Sequence, residues 1–146
     1  YDDMQGRERF SGFSDAMLTL GLPFGDDRVF WYDTEQKEKF LKGSFSVEWM
    51  ERVLSDCTAV VCYNDEIAVR MVAWLTKRGV SIPGEMAVVS FDNSQYSEMS
   101  SPRITSLSHG QYNVGRLSAE LLFRGLHGES CQSRLVPWVL MEKESS

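Results

Sequence analysis

Cysteine is too scarce and too irregularly spaced in this chain to supply a disulfide framework or a zinc site. Cys57, Cys62 and Cys131 are odd in number, and no Cys-x-x-Cys or histidine-rich spacing accompanies them. Cys62 falls inside an apolar run and reads as a buried thiol kept reduced, which points to a cytoplasmic protein. Long apolar runs are missing too: none approaches the roughly 20 residues that cross a bilayer. No charged stretch leads into an apolar one, so no signal peptide is visible. Positive charge is in deficit, with 15 Lys and Arg against 21 Asp and Glu and a net charge of −6. This balance argues against direct binding of nucleic acid, whose phosphates need clustered Lys and Arg, so any DNA contact is expected in a domain outside these residues. The chain opens on Tyr1 followed by the helix-starting Asp2 and Asp3, and is expected to be part of a longer protein.

The 146 residues, 42% apolar and 12% aromatic, suffice for one ordinary domain with a real core. Residues 3–20 read as a helix, capped by Asp2 or Asp3, with Phe10, Phe13, Met17 and Leu20 at helical spacing and Gly21 with Pro23 at its end. Residues 28–32 read as a short strand after a Gly25-Asp26-Asp27 turn. Two helices follow, one over 34–42 capped by Thr34 and one over 47–54 capped by Ser46, with Gly43 between them. The apolar run 58–63 reads as a strand buried on both faces of a parallel sheet. Helix 65–78 comes next, with Glu66 and Arg70 in the favourable order four residues apart and with Gly79 and Pro83 closing it. Its apolar positions are too many for one core-facing stripe, so a second face is expected to meet a partner chain. Strand 86–91, a polar loop 94–102, a short strand 104–107, helix 113–127 and a last strand 135–141 complete the chain. Pro137 confines that last strand to an edge. Alternation of this kind implies an α/β class with a doubly wound, mostly parallel sheet.

Asn64 and Asp92 each stand at the carboxyl end of a strand, where ligands bind in open parallel sheets. An amide that donates and accepts, beside a carboxylate that accepts, suits vicinal sugar hydroxyls or a purine edge. Arg9 adds charged donors if its helix start faces the same crevice. Each has an ordinary reading as well: Asn64 as the N-cap for Ile67, Asp92 as half of an Asp-Asn turn, Arg9 as a solvated helix residue. No nucleophile elbow, phosphate-binding glycine loop or His-Glu-x-x-His motif is present, so neither catalysis, a cofactor nor a metal is expected.

Several runs resemble the lactose/galactose-repressor (LacI/GalR) family. Ala59-Val60-Val61-Cys62-Tyr63-Asn64-Asp65-Glu66-Ile67-Ala68 is similar to its Ala-Asn-Asp-x-x-Ala signature. Residues 79–93, from Gly79 through Pro83 to Phe91-Asp92-Asn93, resemble its Gly-x-x-x-Pro-x-Asp-x-Ser-Val-Val-Gly-Phe-Asp-Asp run. Pro102-Arg103-Ile104-Thr105-Ser106-Leu107 with Gly115, and Arg9-Phe10-Ser11-Gly12-Phe13, match further family stretches. The resemblance implies a periplasmic-binding-protein-like I fold, incomplete here and mostly its carboxyl-terminal subdomain, within an effector-binding and dimerisation domain. It implies that Arg9, Asn64 and Asp92 contact a small sugar-type effector, that Tyr32 stacks on it, and that His109 stands where the family has glutamine at a crossover. Tyr63 before Asn64, with His109, is closer to the arabinose repressors of Gram-positive bacteria, which implies L-arabinose as effector and a GntR-type DNA-binding domain elsewhere. The family also dimerises through the elements matching helix 65–78 and strand 86–91. A transport-type sugar-binding protein of the same fold stays open as the alternative. Two departures stand out: Asn93 replaces a second aspartate, and the last strand runs into Glu142-Lys143 where the family has arginine.

Overall fold

The computed structural model describes residues 3–22, 25–44 and 47–146, except for the side chains of residues 47–49. The expected roles of Asp2, Pro23 and Ser46 lie outside these residues. Six helices are described: α1 Met4–Thr19, α2 Thr34–Leu41, α3 Val47–Leu54, α4 Asp65–Lys77, α5 Gln95–Met99 and α6 Val114–Leu126. Four strands, β1 Ala59–Val61, β2 Ala87–Phe91, β3 Thr105–Ser108 and β4 Val139–Met141, form one sheet in the order β1-β2-β3-β4. The first three run parallel, with Val60 opposite Val88 and Ser90 opposite Ser106, while β4 runs antiparallel to β3. The mixed, mostly parallel sheet with its last strand at an edge matches the reading of the sequence, but that strand is only Val139–Met141, so Pro137 stands before it rather than inside it.

Local chemistry sets most boundaries. The Asp3 carboxylate accepts from the Gln5 amide to start α1, and Asn64 and Asn113 do the same for α4 and α6. Helix α2 is capped by Asp33 rather than Thr34, because Asp33 and Gln36 satisfy each other's backbone amides in a capping box. Gly21, Gly43, Gly79 and Gly128 follow helix ends with positive φ, where a side chain would be strained.

The core lies between α4 and the sheet. Ile67, Ala68, Met71, Val72 and Leu75 of α4 pack with Cys62, Met86, Val88 and Ile104. The carboxyl-terminal residues close it from the far side. The Val88 amide donates to the Ser145 carbonyl at 2.8 Å, and the Thr105 amide donates to Ser145 Oγ at 2.9 Å. Ser145 thereby bridges β2 and β3 below the point where their own pairing starts, and it is fully buried.

Several expectations are corrected. Residues 28–32 form no strand: residues 26–28 make a single 3-10 turn, and Arg28 is drawn onto the Val53 carbonyl at 2.6 Å and the Asp56 carboxylate at 3.5 Å. That holds the segment across the end of α3 instead of along the sheet. Strand β1 is not buried on both faces: Ala59 and Val61, which share one face, are exposed, and Val60 between them is half-buried. The stretch 94–102 contains helix α5, started by Ser94, whose hydroxyl accepts from the Tyr96 amide. Glu66 pairs with Lys37 of α2 at 3.0 Å rather than with Arg70. Within the chain α4 meets β2, α5 and α2, and the Trp74 ring lies 3.9 Å from the Arg78 guanidinium.

The chain exposes 10057 Å² where a compact protein of this length exposes about 7,600 Å². Exposed apolar side chains occur on α1 and α6, neither of which has a buried residue, and also outside them at Met99 and Leu135. Among the described residues no helix is long and apolar enough to cross a membrane.

Candidate functional site

Arg9 is the hub of the site. It lies in the second turn of α1, which the Asp3 cap points toward the carboxyl ends of β1 and β2. Its Nη1 donates to the Tyr63 carbonyl at 2.6 Å and its Nη2 to Asp92 Oδ1 at 3.1 Å. The guanidinium carbon sits 4.8 Å from the Tyr63 ring centre, 4.5 Å from that of Phe91 and 6.0 Å from that of Trp138. A cation held against aromatic faces and a carboxylate, with only 14% of its side chain exposed, is a pre-oriented donor. Asp92 is the wetter partner, with 45% of its side chain exposed, and keeps acceptor capacity for a ligand.

A groove of about 890 Å³ opens here, lined by Arg9, Phe91, Asp92, His109 and Trp138 together with residues of α1. His109 stacks on Trp138 with ring centres 4.2 Å apart, and its Nδ1 lies 3.2 Å from the Pro137 carbonyl. Trp138 meets Phe91 edge to face at 5.8 Å. The lining thus sets aromatic rings beside the Arg9–Asp92 pair, an arrangement suited to a polar ligand with one apolar face.

Of the five residues singled out in the sequence, Arg9, Asp92 and His109 line this groove. Asn64 stands beside it as the N-cap of α4, its Oδ1 accepting from the Ile67 amide at 3.1 Å. That cap uses the oxygen alone, and the amide nitrogen has protons to donate. Tyr32 is not in the groove wall; its ring meets Tyr63 edge to face at 6.4 Å, and its buried hydroxyl has no partner among the described residues. Burial raises the Tyr32 phenol above its ordinary value. The Tyr63 hydroxyl donates to Asp3, which holds that carboxyl below the usual range, and burial followed by this bond pushes the Tyr63 phenol up. Burial pushes the Cys62 thiol up to about 12. Among the described residues no group of three or more His, Cys, Asp or Glu could hold a metal.

Phe91 and Trp138 were not singled out. Phe91 ends β2 next to Asp92, so its place at the strand end was readable; Trp138 reaches the groove only through the antiparallel return of the chain after α6. The two departures noted in the sequence also meet here, because Lys143 Nζ donates to Asn93 Oδ1 at 2.7 Å.

The model of the periplasmic binding protein-like domain matches residues 1–146. The chain belongs to that domain family. It is 30% identical over 132 residues to the arabinose metabolism transcriptional repressor of Halalkalibacterium halodurans, covering 88% of this chain and 34% of that protein. The fold matches the transcriptional regulator CelR in its cellobiose complex with a TM-score of 0.80 at 25% identity, covering 97% of this chain and 42% of that one. It also matches a periplasmic binding protein/LacI transcriptional regulator from Alkaliphilus metalliredigens complexed with D-xylulofuranose, with a TM-score of 0.72 at 27% identity, covering 94% of this chain and 50% of that one. The chain spans about a third of the length of the curated relatives it matches, which have 34% and 35% of their length covered. These relatives are named as transcription regulators.

Proposed function

We propose that this chain is the effector-sensing part of a bacterial, cytoplasmic transcription repressor of the LacI/GalR type. The observation that carries the reading is Arg9, held between Tyr63, Phe91 and Trp138 with its Nη2 on Asp92 at the carboxyl ends of β1 and β2. Arg9 donates to ligand hydroxyls, Asp92 accepts from them, and the amide nitrogen of Asn64 adds a donor. His109 and Trp138 cover the ligand's apolar face, while Tyr32, outside the groove wall, packs its ring edge to face on Tyr63. The ligand is a small sugar, with L-arabinose first in line: two related proteins are arabinose metabolism repressors, and two related folds hold cellobiose and D-xylulofuranose. No step here is catalytic.

Control of DNA binding lies in a separate domain, and the dimer forms through α4 and β2, as the family resemblance implies. Effector binding favours one arrangement of the two lobes over another. Moving a two-state equilibrium from 1:99 to 99:1 takes about 5.5 kcal/mol of differential affinity, and smaller differences already change operator occupancy.

The test is calorimetric titration of the intact protein with L-arabinose, then of its Arg9→Ala and Asn64→Ala variants. Loss of a charged hydrogen bond of about 1.5–3 kcal/mol predicts roughly tenfold to hundredfold weaker binding for Arg9→Ala. Unchanged affinity in both variants would sink the site. A purine or phosphorylated sugar binding where arabinose does not would replace the ligand assignment.

A further inference from the structure

Asp92 and Asn93 are consecutive non-glycine residues with positive φ, 97° and 47°. Such a turn persists only where its surroundings hold it. Here three successive backbone amides are anchored. The Asp92 amide donates to the Leu107 carbonyl at 2.8 Å, the Asn93 amide to Ser106 Oγ at 3.0 Å, and the Ser94 amide to Asp65 Oδ2 at 2.5 Å. Asp65 is 1% exposed, and its other oxygen accepts from Ser106 Oγ at 2.7 Å and from Ser90 Oγ. One buried carboxylate thus joins the start of α4 to β2, β3 and the turn. It also immediately follows Asn64, the cap of the same helix.

The opposite side of the turn is held by Lys143, with 8% of its side chain exposed. Its Nζ donates to Asn93 Oδ1 at 2.7 Å, Ser97 Oγ at 2.8 Å and Glu98 Oε1 at 2.6 Å. Neither Asp65 nor Lys143 lines the groove. We infer that Asp65 and Lys143 are positioning residues of the ligand site, gripping the Asp92–Asn93 turn from its two sides so that the Asp92 carboxylate stays aimed at Arg9. The inference rests on the reading of Arg9 and Asp92 as effector ligands. It goes beyond that reading by making affinity depend on two residues that touch no ligand.

The experiment uses the intact protein and three variants. Lys143→Met keeps the aliphatic stem and removes the donors; Lys143→Arg restores charge and donors; Asp65→Asn keeps the shape but sets an amide against donors. Each is titrated with L-arabinose, melted thermally, and followed by amide hydrogen exchange at Asn93 and Ser94, with Leu75 in α4 as the reference. Lys143→Met is expected to weaken arabinose binding by about tenfold or more, the scale seen when outer supports of a binding shell are lost. Its exchange at Asn93 and Ser94 accelerates relative to Leu75 while the melting temperature holds, and Lys143→Arg recovers most of both. Asp65→Asn moves the same two amides. If Asp65→Asn does not fold, the Lys143 pair still decides. Unchanged arabinose affinity in Lys143→Met, or a loss that only follows global stability, overturns the inference. If the wild-type protein binds no arabinose, the ligand assignment of the preceding section fails by itself, and the exchange arm judges the grip alone. In that event selective acceleration at Asn93 and Ser94 supports the grip, and uniform exchange overturns it.

Discussion

Helices α4 and α6 are written in nearly the same local code and meet opposite fates. Each has 13 residues, each is capped by an asparagine whose side chain accepts the N3 amide, and each carries a basic residue in its last turn. Each is followed by a glycine of positive φ, Gly79 and Gly128. Helix α4 buries Asp65, Ile67, Ala68, Met71, Val72 and Leu75, whereas α6 buries none and leaves Leu122, Phe123 and Leu126 63%, 64% and 73% exposed. Caps and propensity write a helix, but packing decides what it is worth. The covered helix carries Asn64 and Asp65 close to the groove, whereas Arg9 reaches the same groove from α1, which buries no residue.

The sharpest way to break this comparison is to truncate the same residue type on both helices. Leu75 is 1% exposed, and Leu75→Ala is expected to cost about 2–5 kcal/mol of unfolding free energy. Leu126→Ala, at an exposed position, should stay within about 0.5 kcal/mol. Urea denaturation of the 146-residue chain measures both. A cost for Leu126→Ala close to that for Leu75→Ala would mean that α6 docks in solution and that the contrast is false.

The cysteines give a second, smaller contrast. Cys62 belongs to the core beneath α4, while exposed Cys131 sits by α6 with its Sγ 3.4 Å from the Leu121 carbonyl. Burial raises the Cys62 thiol from 9.0 to about 12. Above pH 9 the unfolded chain releases this proton while the folded chain keeps it up to about pH 12. The native state then binds more protons, so stability falls as pH rises through that window, by up to about 1.4 kcal/mol per unit. Cys62→Ala should flatten the alkaline slope relative to the parent. A thiol reagent on the native protein should label Cys131 promptly and Cys62 only after denaturant. Equal slopes, or early labelling of Cys62, would show that the core under α4 is open.

The legible part of the molecule is the part governed by neighbours in sequence. The strand–helix–strand unit from β1 to β2, the caps Asp3 and Asn64, and the edge position of the last strand all follow from local spacing and from proline's missing donor. Residues 28–32 misled because a β-branched and aromatic run has strand composition, yet Arg28 is captured by Val53 and Asp56 across the end of α3. Helix α5 was hidden because its five residues are too few to show a stripe, and its start depends on a serine hydroxyl. In the site, Arg9 and Asp92 were legible as a helix-start cation and a strand-end carboxylate. Trp138 was not, since nothing local says that β4 returns antiparallel beside β3. The Asn93–Lys143 bond is of the same kind: two local oddities that explain each other only in three dimensions.

The smallest expected effect separates helix formation from packing. Asn64 Oδ1 accepts from the Ile67 amide at 3.1 Å, and Asn113 Oδ1 accepts from the Arg116 amide at 2.9 Å. Replacing either asparagine by alanine removes the same bond, a change of about 1 kcal/mol in a helix that matters to the folded state. In α4 the loss is shared by the whole core, so Asn64→Ala should lower the global unfolding free energy by about that amount in the absence of ligand. In α6 few tertiary contacts pass the loss on, so Asn113→Ala should leave the global transition almost in place. It should instead speed amide exchange through the first turn of α6, as expected of a unit that opens locally. Equal shifts of the global transition would mean that α6 folds and unfolds with the core despite its exposed face. The division of the chain into a packed half and an unsupported helix would then have to be withdrawn.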